Sequence, residues 1–299
     1  MTQHRWQGVF PALTTQFRSD QSLDLAATTK HVEAVLASGV QGLVMCGSLG
    51  ENQAMSPEEK RQVVEATVRA AAGRVPVLSG VAETSTAAAC QYVRDCEKLG
   101  ASGFMVMPPM VYKPDAAEAT AYFRKVASVT GLPWMLYNNP IGYTTDTTPE
   151  QLAELADVSN LIAVKESSAN TRRITEIRLA VGDRYAIFSG VDDLVLESAA
   201  LGIDGWIAGS GIAFPRENQH FWNLTQAGKW DEARKMYLWF YPLLKLDTNV
   251  KFVQYIKLAV QETGLGAEWV REPRKPISGP ERERVLTIVR RGIENRPKL

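Results

Sequence analysis

The strongest constraint on the fold is a rhythm in the chain. Apolar runs rich in Val, Ile, Leu, Met and aromatics recur eight times, at Gly8–Phe17, Gly42–Ser48, Pro76–Ala82, Gly103–Pro109, Pro133–Asn139, Leu161–Ser167, Tyr185–Val191 and Gly205–Gly211. Most are continuous rather than alternating, as parallel strands covered on both faces require. Between them lie segments with helical spacing. Ser56-Pro57-Glu58-Glu59 and Thr148-Pro149-Glu150-Gln151 place an N-cap hydroxyl, a first-turn proline and Glu or Gln three residues after the cap. Glycines at Gly73 and Gly100 close two helices. Strands therefore start about 20 to 34 residues apart, with right-handed crossovers between them. Eight such units predict an α/β fold, a (β/α)8 TIM barrel, rather than an open doubly wound sheet.

After Pro215 the pattern changes to helices alone, at Glu217–Gln226, Trp230–Leu243, Thr248–Glu262 and Pro280–Glu294. A barrel needs one helix after its eighth strand, so the remainder is read as a C-terminal helical extension. Residues 1–215 are expected to carry the barrel through strand eight. Residues 216–299 are expected to carry its last helix and the extension, with no linker that would make an independent domain.

Composition enters mainly by exclusion. With 33 basic and 33 acidic residues in 299, the formal net charge is zero, which gives no reason to expect nucleic acid or an anionic membrane as partner. The three cysteines, Cys46, Cys90 and Cys96, show no Cys-x-x-Cys spacing, and His4, His31 and His220 lie far apart. Reduced, buried thiols and no metal site are the expectation. Met1–Gln7 has no apolar core of a secretory signal, and no apolar stretch reaches about 18 residues. A cytoplasmic location is expected.

In such barrels the active site lies at the carboxyl ends of the strands, so the polar residues there are read first. Strand six ends Val164-Lys165-Glu166. A desolvated lysine at that place keeps a share of neutral amine, as a Schiff-base nucleophile must; taken alone, the residue is read first as a lysine reaching past the strand into solvent. Strand five ends Leu136-Tyr137-Asn138-Asn139-Pro140. Tyr137 is either a proton-transfer residue beside that lysine or a packed core tyrosine. Strand two runs into Gly47-Ser48-Leu49-Gly50-Glu51, a loop whose N–H groups and Ser48 hydroxyl suit a carboxylate, although such loops are also common turn material.

The glycine loop after strand two, the tyrosine after strand five and the lysine in strand six together resemble the dihydrodipicolinate synthase/N-acetylneuraminate lyase family of class I aldolase-like barrels. The likeness covers nearly the whole chain, including Phe10-Pro11-Ala12-Leu13-Thr14-Thr15, Tyr137-Asn138-x-Pro140 and Ser189-Gly190-x-Asp192-Asp193. It implies that Lys165 forms an imine with a 2-oxo acid and that Tyr137 moves protons. It further implies that Gly47 and Ser48 hold the carboxylate, that Gly190 and Ile207 close around the substrate, and that no cofactor is needed. The extension resembles helices that support homotetramers built as dimers of dimers.

The sequence departs from the synthase pattern in three places. Leu49 stands where a second hydroxyl is expected, Val111 where a tyrosine crosses a dimer interface, and Gly142 where an arginine binds the second substrate. Tyr112 is one residue from the expected tyrosine. These changes favour a lyase or hydro-lyase acting on one small 2-oxo acid or cyclic imino acid, with Leu49 as an apolar wall and Gly142 and Tyr143 shaping the pocket. A 1-pyrroline-4-hydroxy-2-carboxylate deaminase is the preferred reading. A 2-keto-3-deoxy sugar acid dehydratase or aldolase is the alternative, true dihydrodipicolinate synthase follows, and a 2-oxo-acid-binding barrel without catalysis is the non-enzyme rival. A further rival is an aldolase cradling phosphate on Gly209-Ser210-Gly211.

Overall fold

The computed structural model describes residues 5–109 and 112–299. Eight parallel strands alternate with helices. They are β1 Gly8–Val9, β2 Leu43–Met45, β3 Val77–Val81, β4 Gly103–Val106, β5 Trp134–Asn138, β6 Leu161–Glu166, β7 Ala186–Ser189 and β8 Gly205–Trp206. The sheet runs β1-β8-β7-β6-β5-β4-β3-β2. Its two ends meet through a parallel bridge between Ala12 and Val44. Gln41 N–H donates to the Val9 carbonyl at 3.0 Å and Val44 N–H to that of Pro11 at 2.9 Å, which closes the ring.

Each of the eight apolar runs contains one strand. The outer pair, β1 and β8, are shorter than their runs, but their ladder continues as Phe10 N–H to the Trp206 carbonyl and Ala12 N–H to that of Ala208, both 2.8 Å. Register is what aligns the site. Tyr137 of β5 pairs with Lys165 of β6, and Lys165 pairs with Phe188 of β7, so the three side chains stand level on one face.

The helices are α1 Leu25–Leu36, α2 Pro57–Ala71, α3 Thr86–Lys98, α4 Ala116–Ala127, α5 Pro140–Tyr143, α6 Pro149–Glu154, α7 Arg172–Val181, α8 Val195–Ala200, α9 Pro215–Gln226, α10 Trp230–Leu244, α11 Phe252–Glu262 and α12 Gly279–Glu294. Capping boxes form at Ser56/Glu59 and Thr148/Gln151, where the sequence predicts them. The expected helix from Thr248 starts later, at Phe252. Residues 245–248 form a 3-10 turn, and Asn249 is extended. The Asn249 side chain accepts the Lys251 N–H at 3.0 Å, a local bond that competes with helix continuation.

The extension is tied to the barrel by a buried ion pair. Lys257 of α11 donates to Glu51, just after β2, at 2.7 Å, and both side chains are fully buried. Lys257 also donates to the Trp269 carbonyl at 2.6 Å, and the Arg271 N–H donates to the other Glu51 oxygen at 3.0 Å. Phe17 lies between Lys257 and Arg271, with cations 4.4 and 4.3 Å from its ring centre. Burial pushes the Lys257 ammonium down to about 8, and Glu51 opposes it. Removing one partner of such a pair strands a buried charge. Lys257→Met is therefore expected to lower unfolding stability by about 3–5 kcal/mol in urea titrations, and Glu51→Gln/Lys257→Met to recover part of that loss. A single variant losing under about 1 kcal/mol would mean that the pair does not hold the extension down.

Candidate active site

At the carboxyl ends of the strands lies a cavity of about 1270 Å³. Gly47, Ser48, Leu49, Tyr137, Tyr143, Lys165, Gly190 and Ile207 all line it, so the structure brings these eight candidates into one space. Lys165 is 6% exposed, and its Nζ lies 3.8 Å from the centre of the Tyr137 ring. Burial lowers the Lys165 pKa, while Tyr143, Asp247 and Asp192 pull the other way. Burial thus favours the neutral amine, the form that an imine-forming lysine has to reach.

Gly190 has a specific steric reason to be glycine. A Cβ there would lie 2.4 Å from Lys165 Cε and 2.0 Å from Ser167 Oγ. Its bare backbone leaves the channel through which the lysine stem reaches the cavity.

The hydroxyl groups around the amine form a connected set. Asn139 donates to the Tyr137 hydroxyl at 3.1 Å. The Tyr143 ring stands perpendicular to that of Tyr137, with centroids 5.5 Å apart, and its hydroxyl is hydrogen-bonded to Ser48. Burial pushes the Tyr137 phenol up to about 12 and lifts Tyr143 above the usual phenol range. Both phenols therefore carry protons at neutral pH. The end of β5, which bears Tyr137, is braced from outside the cavity, where Asn138 donates to Glu166 and to Asp146, each at 3.0 Å.

The β2 loop is held in a strained form. Cys46 has φ +53°, in the left-handed region, which costs about 1–2 kcal/mol for a residue with a side chain. Asn52 donates to the Cys46 carbonyl at 2.9 Å, and Thr15 to that of Gly50 at 2.9 Å. Among the described residues, no protein acceptor takes the N–H groups of Ser48 and Leu49. That leaves donors at a place suited to a carboxylate.

One rival reading is corrected. Gly209-Ser210-Gly211 does not offer a phosphate cradle, because the Gly209 and Ser210 N–H groups already donate to the Asp192 carboxylate at 3.1 and 2.6 Å. Gly211 is packed against Asn218, whose Oδ1 would lie 1.9 Å from a Cβ there. Tyr112 is 56% exposed and does not line the cavity, while Val111 lies outside the described residues. Asp247, Asn139 and Arg274 line the cavity as well. They went unread in sequence because two come from the irregular segments flanking α11 and one from the turn after β5.

A profile of the Dihydrodipicolinate synthetase family matches residues 5–291. The chain belongs to this family. It is an enzyme, a Schiff-base lyase of the class I aldolase type. Among curated relatives, a 4-hydroxy-tetrahydrodipicolinate synthase of Methanospirillum hungatei is 32% identical over 289 residues, covering 96% of this chain and 99% of that protein. Another of that name, from Phenylobacterium zucineum, is 32% identical and covers 95% of this chain and 97% of its own. The solved dihydrodipicolinate synthase of Aquifex aeolicus superposes with a TM-score of 0.91 at 27% identity, over 95% of this chain and 97% of that one. A prophage protein of the family from E. coli K12, solved with pyruvate, gives 0.89 at 26% identity, over 96% and 99%. No helix among the described residues is long and apolar enough to cross a membrane.

Because burial lowers the Lys165 pKa, its neutral fraction should saturate at lower pH than that of a free lysine. Competitive amine labelling read by peptide mass spectrometry is expected to give Lys165 a half-maximum below the ordinary 10.5, with surface lysines in the same sample as reference. A half-maximum at or above theirs would remove the desolvated-nucleophile argument.

Proposed function

We propose that Lys165 is the imine-forming lysine, Tyr137 its proton-transfer residue, and the substrate one small 2-oxo acid or cyclic imino acid, with 1-pyrroline-4-hydroxy-2-carboxylate deamination as the preferred reaction. The observation that carries the reading is the buried Lys165 amine stacked on the Tyr137 ring in the same cavity as the Ser48–Tyr143 hydroxyl pair. Lys165 attacks C2 of the cyclic imine, and the C2–N bond breaks. The open chain then carries the lysine imine at C2, a hydroxyl at C4 and an amine at C5. Loss of a C3 proton gives an enamine, which expels the C4 hydroxyl as water. Proton shifts carry the remaining unsaturation to C5 as an imine. Hydrolysis there releases ammonia, and hydrolysis at C2 frees the lysine.

The curated relatives are named 4-hydroxy-tetrahydrodipicolinate synthase, and that activity is the competing reading. It demands a second substrate. Against it stand Leu49 in the carboxylate loop, Gly142 in place of an arginine, and Val111 at the place of the interface tyrosine. A 2-keto-3-deoxy sugar acid dehydratase or aldolase is supported by a different feature: Asn139, Asp247, Asn249 and Gln254 add polar groups to the cavity wall that a hydroxylated chain would use. The full reading is a cytoplasmic enzyme assembled as a homotetramer, with residues 216–299 part of the same folding unit as the barrel.

The test is intact-protein mass spectrometry after borohydride treatment with pyruvate, 2-keto-3-deoxy sugar acids or the pyrroline carboxylate. Wild type should gain an adduct and Lys165→Ala none, and ammonia release should accompany the pyrroline carboxylate alone. Condensation of pyruvate with aspartate semialdehyde at a comparable rate would restore the synthase reading. Absence of any adduct from folded protein would leave a barrel that binds without catalysis.

A further inference from the structure

Asp247 enters the cavity from outside the barrel, on the 3-10 turn between α10 and α11. One of its barrel neighbours, Gly209, has no side chain. A Cβ on Gly209 would lie 2.5 Å from Asp247 Oδ1 and 3.4 Å from Asp192 Oδ2, so two carboxyl groups converge on one backbone position. Their surroundings differ. Asp192 is fully buried, and both its oxygens accept N–H bonds, from Trp206 Nε1 at 2.9 Å, Gly209 at 3.1 and 3.2 Å and Ser210 at 2.6 Å. Burial raises the Asp192 pKa, but these N–H donors oppose it, and with no acceptor for a proton they favour its charged form. Among the described residues, no donor reaches the Asp247 carboxyl. Two carboxylates this close cannot both ionise easily, so the proton of the pair resides on Asp247. Burial and then the Asp192 charge push its pKa well up, against Lys165; Asp193 adds a further negative charge.

We propose that Asp247 is the acid that protonates the hydroxyl leaving from C4, two bonds from the imine carbon. This rests on the elimination reading above. In the step, the enamine electron pair moves from C2–C3 into C3–C4 and the C4–O bond breaks. The Asp247 proton goes to the departing oxygen, and water leaves. The product is a conjugated iminium at C2 with the Asp247 carboxylate beside it, which regains a proton from solvent through the cavity mouth. Tyr137 is thereby left to act at C3, and each proton has its own carrier.

Asp247→Asn keeps the shape and removes the proton. It should trap pyruvate with borohydride and exchange the pyruvate methyl hydrogens in D2O within about threefold of wild type, while kcat on the pyrroline carboxylate falls about 10²–10⁴-fold with KM little changed. A C4-fluoro analogue, whose leaving group departs without a proton, should recover most of the loss. Retained kcat on the hydroxylated substrate, a parallel loss of pyruvate trapping, or no rescue by fluoride would each overturn the role of Asp247 alone. Wild type that traps pyruvate but eliminates from no hydroxylated substrate would overturn the elimination reading and this role with it.

Discussion

The buried ion pair between Glu51 and Lys257 couples the two parts of the chain that the cavity needs. Glu51 follows directly on the loop that carries Gly47, Ser48 and Leu49, and Lys257 sits on α11, whose preceding turn carries Asp247. Neither side chain touches solvent, and the cost of burying both charges is offset only if every remaining donor and acceptor is satisfied. The Trp269 carbonyl and the Arg271 N–H meet that demand. The pair thus specifies a position more than it adds stability. A small shift of α11 would break several bonds at once, so the helical extension has one seat on the barrel. The strained Cys46 backbone lies within the same braced loop, where surrounding contacts over-determine it.

Within the cavity the governing quantity is the number of protons shared among close groups. Lys165 with a lowered pKa, Asp247 with a raised one, and two phenols that hold their protons describe an environment that disfavours isolated charge. Asp192 keeps its negative charge because backbone and indole N–H groups are aimed at it. Those donors work against burial, which raises its pKa, and on the proposed mechanism Asp192 is the counter-charge for an iminium on Lys165.

The parts of this arrangement legible in the sequence are those encoded locally. Eight buried strands announce themselves as apolar runs, and a polar residue interrupting such a run, like Lys165, marks the strand end where barrels keep their chemistry. Tyr137 follows from the same logic. Contacts between distant residues were not legible in that way. Tyr143 meets Ser48 across 95 positions, and no pattern in either segment announces the meeting. Asp247 fell in the short gap between the helices read at Trp230–Leu243 and Thr248–Glu262, and nothing in that segment announces that it turns into the cavity. Gly209 and Gly211 show the opposite error. Glycines after strand eight suit a phosphate cradle by type, yet here they make room for Asp247 and Asn218. A glycine states that something approaches the backbone closely, and only the fold says what.

The departures from the synthase pattern are coherent once Tyr143 is seen in place. Gly142 removes the expected cation, but the residue beside it swings a phenol onto Ser48 and a ring edge against Tyr137. The Ser48 hydroxyl thereby has a partner within its own chain. That pairing has a consequence for chemistry. Ser48 has its partner before any substrate arrives, and Leu49 adds no hydroxyl, so the loop keeps chiefly its backbone N–H groups for a carboxylate. A condensing enzyme must hold two substrates and pass a proton between them. On the reading proposed above, a site whose Ser48 and Tyr143 hydroxyls are already paired, with Asp247 entering from the far side, suits one molecule being taken apart rather than two being joined.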